Sequence, residues 1–235
     1  MTELIVALDK DSLSEALPLV EAAGESVEWY KVGSQLFCSE GPKAVKALKD
    51  LGKKVFLDLK FHDIPNTVAN AVANGVRMGA DMVNVHACGG SEMMTRAVEA
   101  GASAAKDGTS PLIIAVTVLT SMNDSAIKET LNNPDATPAK HVEHLAQLAQ
   151  KSGMNGVVCS AHEIGLIRKK CGSNFILVVP GIRPAGASVG DQKRVMTPAE
   201  AASAGADFIV VGRPVLQAEN PAEAAKAIND ELKSI

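Results

Sequence analysis

The stretch Val55-Phe56-Leu57-Asp58-Leu59-Lys60-Phe61-His62-Asp63 joins a short apolar run to a dense group of charges. Alternate side chains of a β-strand share a face, so this sequence predicts that Asp58 and Lys60 point the same way while Leu59 and Phe61 point the other. An isolated Asp-x-Lys pair is usually a surface ion pair worth about 0–1 kcal/mol. On a strand this apolar, the charges indicate a functional role instead.

Strand and helix signals alternate along the whole chain. The aliphatic runs typical of buried strands are Leu4–Leu8, Trp29–Val32, Val55–Leu59, Met82–His86, Leu112–Leu119, Gly156–Cys159, Phe175–Val179 and Phe208–Val211. The segments with helical spacing are Ser12–Ala23, Pro42–Leu51, Thr67–Met78, Glu92–Lys106, Ala139–Lys151, Glu163–Lys170, Pro198–Ala204 and Pro221–Leu232. Eight strand-helix units in 235 residues predict an α/β fold, a (β/α)8 TIM barrel.

The chain contains no linker rich in proline or glycine, so we expect residues 1–235 to form one TIM-barrel domain. A doubly wound sheet is the main alternative architecture. No Gly-x-Gly-x-x-Gly follows the first strand, which disfavours a dinucleotide-binding fold. The longest segment without clear periodicity, Gly181–Val195, has the length of a functional loop.

Composition excludes several classes of protein. A net charge of −4 argues against a general binder of nucleic acids or membrane surfaces, because these need a clustered basic excess. No apolar run approaches the roughly 18 residues of a membrane span. Met1–Leu4 lacks the basic start of a signal peptide, so we expect a soluble, cytoplasmic protein. The cysteines form no Cys-x-x-Cys pair and are expected to be reduced; they are Cys38, Cys88, Cys159 and Cys171.

Polar residues follow the strands at the ends where barrel active sites lie. In strand order they are Asp9, then Lys31, then Asp58, Lys60 and Asp63, then His86, then Thr120 and Ser121 after strand five, then Arg183 after strand seven, and Gly212 and Arg213 after strand eight. A random surface would scatter these groups. Their position predicts one site at the carboxyl end of the barrel.

The last two strand ends have the features of a phosphate site. Loops after strands seven and eight of such barrels commonly bind phosphate. Gly212 allows the backbone to approach an anion, and Arg213 supplies a bidentate guanidinium. Gln192, in the long loop, is placed to close over the same group.

Lys60 is expected to act as a proton donor. A barrel lysine can form a Schiff base as a neutral amine or donate a proton as an ammonium. Neighbouring carboxylates favour the charged form, so Asp58 and Asp63 make Lys60 a poor nucleophile. A cationic donor beside an anion suits a reaction that generates a carbanion and quenches it, as decarboxylation does.

The stretch Asp58-Leu59-Lys60-Phe61-His62-Asp63-Ile64-Pro65-Asn66-Thr67 resembles the signature of the orotidine 5′-phosphate decarboxylase family, which catalyses the last step of UMP synthesis. The similarity covers essentially the whole chain. Its other segments are Asp9, Trp29-Tyr30-Lys31-Val32-Gly33, Leu119-Thr120-Ser121, Pro180-Gly181-Ile182-Arg183 and Val211-Gly212-Arg213-Pro214.

This resemblance implies a carboxy-lyase that converts orotidine 5′-monophosphate to UMP without a metal or an organic cofactor. It implies a catalytic tetrad of Lys31, Asp58, Lys60 and Asp63, with Lys60 as the proton donor, and a homodimer in which Asp63 and Thr67 reach the neighbouring active site. The implied substrate-binding residues are Asp9 and Lys31 at the ribose, Asp58, Thr120 and Ser121 near the pyrimidine, and Arg183, Gln192, Gly212 and Arg213 at the phosphate.

Two other functions are compatible with parts of the sequence. A metal-dependent sugar-phosphate decarboxylase of the same superfamily shares the Asp-x-Lys-x-x-Asp pattern, but it has an acidic residue at the position of Lys31. A non-catalytic module that binds a phosphorylated ligand is the more distant alternative. His141 and His144 are three residues apart on a predicted helix without an apparent third ligand, so we expect no metal.

Overall fold

Eight parallel strands close into a barrel in which each strand is hydrogen-bonded to the next and the last to the first. The structure is a computed structural model and describes residues 1–106, 108–184 and 196–234. The strands are β1 (Glu3–Ala7), β2 (Trp29–Gly33), β3 (Lys54–Phe61), β4 (Met82–His86), β5 (Leu112–Val116), β6 (Gly156–Val158), β7 (Ile176–Pro180) and β8 (Phe208–Val211). The predicted (β/α)8 fold is confirmed, and the doubly wound alternative is wrong.

Helices connect the strands and surround the barrel. In the described residues they are α1 (Leu13–Ala23), α2 (Ser34–Glu40), α3 (Pro42–Asp50), α4 (Pro65–Arg77), α5 (Gly90–Ala104), α6 (Asp124–Leu131), α7 (Pro138–Lys151), α8 (Ile164–Cys171), α9 (Pro198–Ala204), α10 (Arg213–Leu216) and α11 (Pro221–Lys233). The sequence did not predict α2, α6 or α10. Each buries one side chain, Leu36, Ile127 or Val215, so none produces a periodic apolar pattern.

The barrel interior is filled by one apolar cluster near the amino-terminal ends of the strands. Its larger members are Ile5, Trp29, Phe56, Met82, Ile114, Val178, Phe208 and Val210. The rings of Trp29 and Phe208 meet edge to face, with centroids 5.3 Å apart. This apolar plug fills the amino-terminal half of the barrel interior, so the polar site lies on its carboxyl-terminal side.

A second, larger apolar layer lies between the outer faces of the strands and the helices. Leu59 and Phe61 pack against this layer, as the alternation on β3 predicts. All four cysteines are free, and Cys159 and Cys171 are buried. No helix in the described part of the chain is long and apolar enough to span a bilayer.

Three junctions at the amino-terminal end of the barrel use the same local structure. A glycine with positive φ ends the preceding helical segment at Gly79, Gly153 and Gly205, with φ of 100°, 82° and 103°. Two residues later an Asp or Asn side chain accepts the backbone N–H of the neighbouring strand. The pairs are Asp81 with Val55, Asn155 with Ile113, and Asp207 with Leu177, each at 2.7 Å. These bonds fix where adjacent strands start.

Candidate active site

The inner face of the barrel changes from apolar to charged within one layer of side chains. On β2, Trp29 belongs to the interior plug and Lys31 follows on the same face. On β3, Phe56 is followed in the same way by Asp58. The alternation of strand side chains therefore places an ammonium and a carboxylate directly above the apolar plug.

These side chains form one connected network. The Lys60 Nζ lies 2.6 Å from Asp58 Oδ1, and the Lys31 Nζ lies 3.4 Å from Asp58 Oδ2. Lys31 also contacts Asp9 Oδ1 at 3.0 Å. The Asp58 side chain is only 10% exposed, whereas that of Lys60 is 35% exposed. The carboxylate is therefore held in place while the ammonium remains accessible to a ligand.

Asp63 lies outside this network within its own chain. The residue is exposed, and its Oδ1 accepts the backbone N–H of Ile64 at 2.6 Å. Among the described residues, it forms no ion pair with Lys31 or Lys60. The sequence predicts that the carboxylates of Asp58 and Asp63 both lie beside the Lys60 ammonium. In the described residues of this chain, Asp58 lies there and Asp63 forms no ion pair with Lys60.

Sequence reasoning missed Asn84, which is completely buried beside Asp58. The Asn84 Nδ2 donates to Asp58 Oδ1 at 2.6 Å, and the Asn84 Oδ1 accepts the backbone N–H of Lys60 at 2.8 Å. An available signal was its position two residues after Met82 and two before His86 in an otherwise apolar run. That spacing places an amide on the inner face of β4.

A cavity of about 400 Å³ opens beside the network at the carboxyl end of the barrel. Its lining includes Asp9 and Lys31 on one side and Arg183, Gly212 and Arg213 on the other. The structure thus brings residues predicted from four separate strand ends into the lining of one cavity. The two arginines and two lysines of the lining, Lys10 and Lys31, suit an anionic ligand.

The predicted phosphate residues lie at the ends of β7 and β8. Gly212 follows β8 and is the N-cap residue of α10, which begins at Arg213. The Arg183 residue is buried, and its backbone N–H donates to the Met196 carbonyl at 3.0 Å. Ile182 and Met196 form a β-bridge. The predicted residue Gln192 lies outside the described residues.

The remaining predicted residues are placed at the rim. Thr67 lies in the first turn of α4 and is exposed. The sequence predicts that the fifth strand continues to Leu119, which is wrong, because β5 ends at Val116. Thr120 and Ser121 therefore belong to the loop before α6, and neither lines the cavity described above.

Two histidines lie beside Lys60, with ring centroids 5.6 Å apart: His62 and His86. Burial lowers the pKa of His86, and repulsion from His62 and Lys60 adds to that effect while Asp58 opposes it. On α7, burial and His144 lower the pKa of His141. Within the described ranges, no three His, Cys, Asp or Glu side chains come together as a possible metal site.

Comparison with known proteins gives one consistent family. Residues 2–228 match the family model described as Orotidine 5'-phosphate decarboxylase / HUMPS family. A protein of Pasteurella multocida (strain Pm70) named Orotidine 5'-phosphate decarboxylase is 50% identical over 231 residues, which cover 98% of this chain and 97% of the relative. A protein of the same name from Nitratidesulfovibrio vulgaris (strain DP4) is 48% identical and covers 100% of this chain and 99% of its own.

Solved structures with the same fold agree with this result. The crystal structure of Orotidine 5'-phosphate decarboxylase from Lactobacillus acidophilus matches with a TM-score of 0.89 and 37% identity, covering 99% of each chain. The corresponding structure from Pyrococcus horikoshii OT3 gives a TM-score of 0.77 at 28% identity, covering 99% of this chain and 100% of that chain.

Proposed function

Because the chain belongs to the orotidine 5′-phosphate decarboxylase / HUMPS family, we infer that it is a carboxy-lyase that converts orotidine 5′-monophosphate to UMP. The observation that carries this function is the Lys60 ammonium held 2.6 Å from a buried carboxylate at the mouth of a barrel. That arrangement provides a proton donor where a carbanion would form.

The reaction needs one proton and no redox step. The bond between C6 of the pyrimidine and its carboxylate breaks, the electron pair stays on C6, and CO₂ leaves. A proton from the Lys60 Nζ then forms the new C6–H bond, and the neutral amine regains a proton from water. The in-plane carbanion is poorly delocalised by the ring, so fixed charges must stabilise it.

Asp58 acts mainly by fixing the cations. Its carboxylate accepts from the Lys60 ammonium and the Asn84 amide, and it contacts the Lys31 ammonium. An uncompensated carboxylate about 4 Å from the substrate carboxylate would repel it by about 4 kcal/mol at an effective dielectric constant near 20. The surrounding donors reduce this repulsion. They leave Asp58 chiefly as the anchor that orients the Lys60 ammonium.

Lys31 supports catalysis without a metal. Its ammonium contacts the carboxylates of Asp9 at 3.0 Å and Asp58 at 3.4 Å. These oxygens are hard ligands of the kind that Mg²⁺ prefers. A lysine between them supplies the positive charge that a magnesium ion would supply in the metal-dependent sugar-phosphate decarboxylases.

The phosphate of the substrate is assigned to the Arg183 and Arg213 side of the cavity. Binding energy from this remote group can offset the cost of ordering and drying the reacting ring. Orotidine, which lacks the phosphate, should therefore lose kcat as well as affinity. Full kcat/KM on orotidine would contradict this role.

A homodimer that shares its active sites explains the position of Asp63. Its carboxylate accepts the backbone N–H of Ile64 in its own chain, and the Ile64 residue, with a large apolar side chain, is 67% exposed. An interface over this segment would bury Ile64 and bring Asp63 and Thr67 to the partner's site. The cytoplasmic location stays a prediction from sequence.

The decisive assay follows the absorbance of orotidine 5′-monophosphate with and without a chelator. Turnover that the chelator leaves unchanged supports the proposed reaction. Chelator-sensitive turnover of sugar phosphates would instead assign the metal-dependent activity, and tight UMP binding without any turnover would assign a binding module.

Sharing of sites is tested by mixing two inactive variants, Lys60→Ala and Asp63→Ala. A mixed dimer with shared sites contains one site that has both native residues, so activity should return to about a quarter of the wild-type level in a statistical mixture. Mixed dimers that remain inactive would contradict sharing while leaving the assigned reaction intact.

A further inference from the structure

Asn84 lies opposite an irregular segment of β3. Between the pairs Leu57–Val83 and Phe61–Val85, β3 contains the residues 58–60 where β4 contains Asn84 alone. The excess residues bulge the strand, and Lys60 adopts a left-handed backbone with φ of 51°. This conformation costs a lysine about 1–2 kcal/mol, so neighbouring interactions must stabilise it.

The Asn84 amide supplies those interactions at both ends of Lys60. A backbone N–H can only donate, so the bond of 2.8 Å from Lys60 requires the amide oxygen to face it. The amide nitrogen is thereby directed at Asp58 Oδ1, 2.6 Å away. The same Asp58 oxygen accepts the Lys60 Nζ at 2.6 Å. One buried amide thus fixes the Lys60 backbone directly and its ammonium through Asp58.

We propose that Asn84 is a positioning residue for proton transfer, one that aims the Lys60 ammonium by bonding its backbone and its carboxylate partner. The proposal rests on the proposed function. Within the described residues, Lys31 and Asp9 line the ligand cavity and Asn84 lies behind them, 0% exposed. Its influence must therefore pass through Lys60 and Asp58, and a misplacement of about 1 Å at a reacting group can cost about 100-fold in rate.

The first test is Asn84→Asp, which keeps the acceptor for the Lys60 N–H and replaces the donor with a carboxyl group. At about pH 8 the new carboxylate faces Asp58, and kcat should fall at least about 10-fold. Near about pH 5.5 the carboxyl group should be protonated, because a carboxylate buried beside another is disfavoured, and its O–H restores the donor. Activity relative to wild type should therefore recover as the pH falls.

The charged groups that act on this position are known from the structure. Asp58 and Lys60 face it from β3, the Lys31 ammonium reaches Asp58 from β2, and His86 follows on β4. From β5, its register partner is the apolar Ile114. The wild-type pH profile measured in parallel removes the contributions of the native groups.

The matched control is Asn155→Asp at the opposite end of the barrel. Asn155 also accepts a strand N–H, from Ile113 at 2.7 Å, but it is exposed and outside the charged network. Its substitution should leave kcat and its pH profile unchanged. UMP affinity of Asn84→Asp should stay within about threefold of wild type, because the cavity wall is retained. A parallel loss of UMP affinity and kcat, or an unchanged kcat at all pH values, would overturn the proposal.

A readout independent of activity separates this proposal from the assigned reaction. In a crystal structure of Asn84→Leu, the Lys60 backbone should no longer have a positive φ, and the distance between Lys60 Nζ and Asp58 Oδ1 should be longer than 2.6 Å. An unchanged Lys60 in that structure would overturn the positioning role whether or not the wild-type protein turns over substrate. Absence of wild-type turnover would overturn the proposed function alone.

Discussion

The two ends of the barrel hold similar ion pairs that differ in how many of their hydrogen-bonding groups are used. At the amino-terminal end, Asp207 accepts from Arg168 and from the Leu177 backbone, and Arg168 also donates to carbonyls such as those of Gly205 and Phe175. At the carboxyl end, the Lys60 ammonium contacts Asp58 and is about one-third exposed.

This difference separates charges that stabilise the fold from charges that remain available for chemistry. The Arg168 guanidinium has most of its donors occupied by backbone carbonyls, so it cannot serve a ligand. The Lys60 ammonium has three N–H groups, and in the described part of the chain one carboxylate accepts from it. Substitutions at the amino-terminal end should therefore lower stability, whereas substitutions at the carboxyl end should lower activity.

The largest effect is expected for Lys60→Ala. Removal of the proton donor should lower kcat by about 10³-fold or more, because both protonation and charge stabilisation are lost. The free energy of unfolding should change little, because the Lys60 side chain is 35% exposed. The left-handed backbone at this position is present in both the wild type and the variant. Steady-state kinetics and urea unfolding measure the two quantities. A loss of stability without a loss of kcat would show that Lys60 stabilises the fold and does not serve the chemistry.

The converse substitution is Asp207→Ala at the amino-terminal end. It leaves the Leu177 N–H and the largely buried Arg168 without their carboxylate, so the free energy of unfolding should fall by about 2–3 kcal/mol. The kcat per folded molecule should be unchanged.

Asp50→Ala is the matched control for this substitution. Its ion pair with Lys46 is exposed on α3, so we expect a change of about 0.5 kcal/mol or less. Equal losses of stability in both variants would show that the backbone contacts of Asp207 contribute nothing.

A smaller effect is expected at Gly33, where the space available decides the outcome. A Cβ there would lie 2.7 Å from the Lys31 Nζ, while the φ of −92° is allowed for alanine. Gly33→Ala should therefore displace the ammonium and lower kcat/KM by about 10-fold without backbone strain. In Gly165→Ala on α8, the new Cβ would have no atom within 4 Å among the described residues outside its own helix backbone and chain neighbours. This control should keep full activity and gain up to about 1 kcal/mol of stability.

The contrast between the two ends also explains what could be predicted from sequence. The barrel follows from local signals, namely aliphatic runs that alternate with segments of helical spacing. The charged residues of the site were found because each lies at a strand end.

The period of two along β4 places Asn84 on the inner face, but its contact with the backbone of Lys60 could not be predicted from the sequence. This contact depends on the register between β3 and β4, which shifts between Leu57 and Phe61. A period-of-two argument within one strand carries no information about such a shift across strands. The sharing of Asp63 between chains is likewise a property of an assembly and stays a prediction.

The smallest effect concerns the pH dependence of stability at the carboxyl end. Burial, His62 and Lys60 lower the pKa of His86, so the folded protein binds this proton less tightly than the unfolded chain does. Below the ordinary histidine pKa of about 6.5, the unfolded chain takes up a proton that the folded state resists, and stability falls as the pH falls. In His86→Gln, the loss of unfolding free energy between about pH 7.5 and pH 5.5 should be smaller than in wild type.

Two further variants sharpen this measurement. His62→Gln removes one source of repulsion and should reduce the pH dependence only in part, because burial is the larger cause. The same change at His162, an exposed histidine on a different element, is the matched control. Urea unfolding at several pH values measures all three, and a steeper slope in His86→Gln than in wild type would contradict the assigned direction. Since His86 lies beside the accessible ammonium, a confirmed slope would show that the reactive end of the barrel lowers stability in acid.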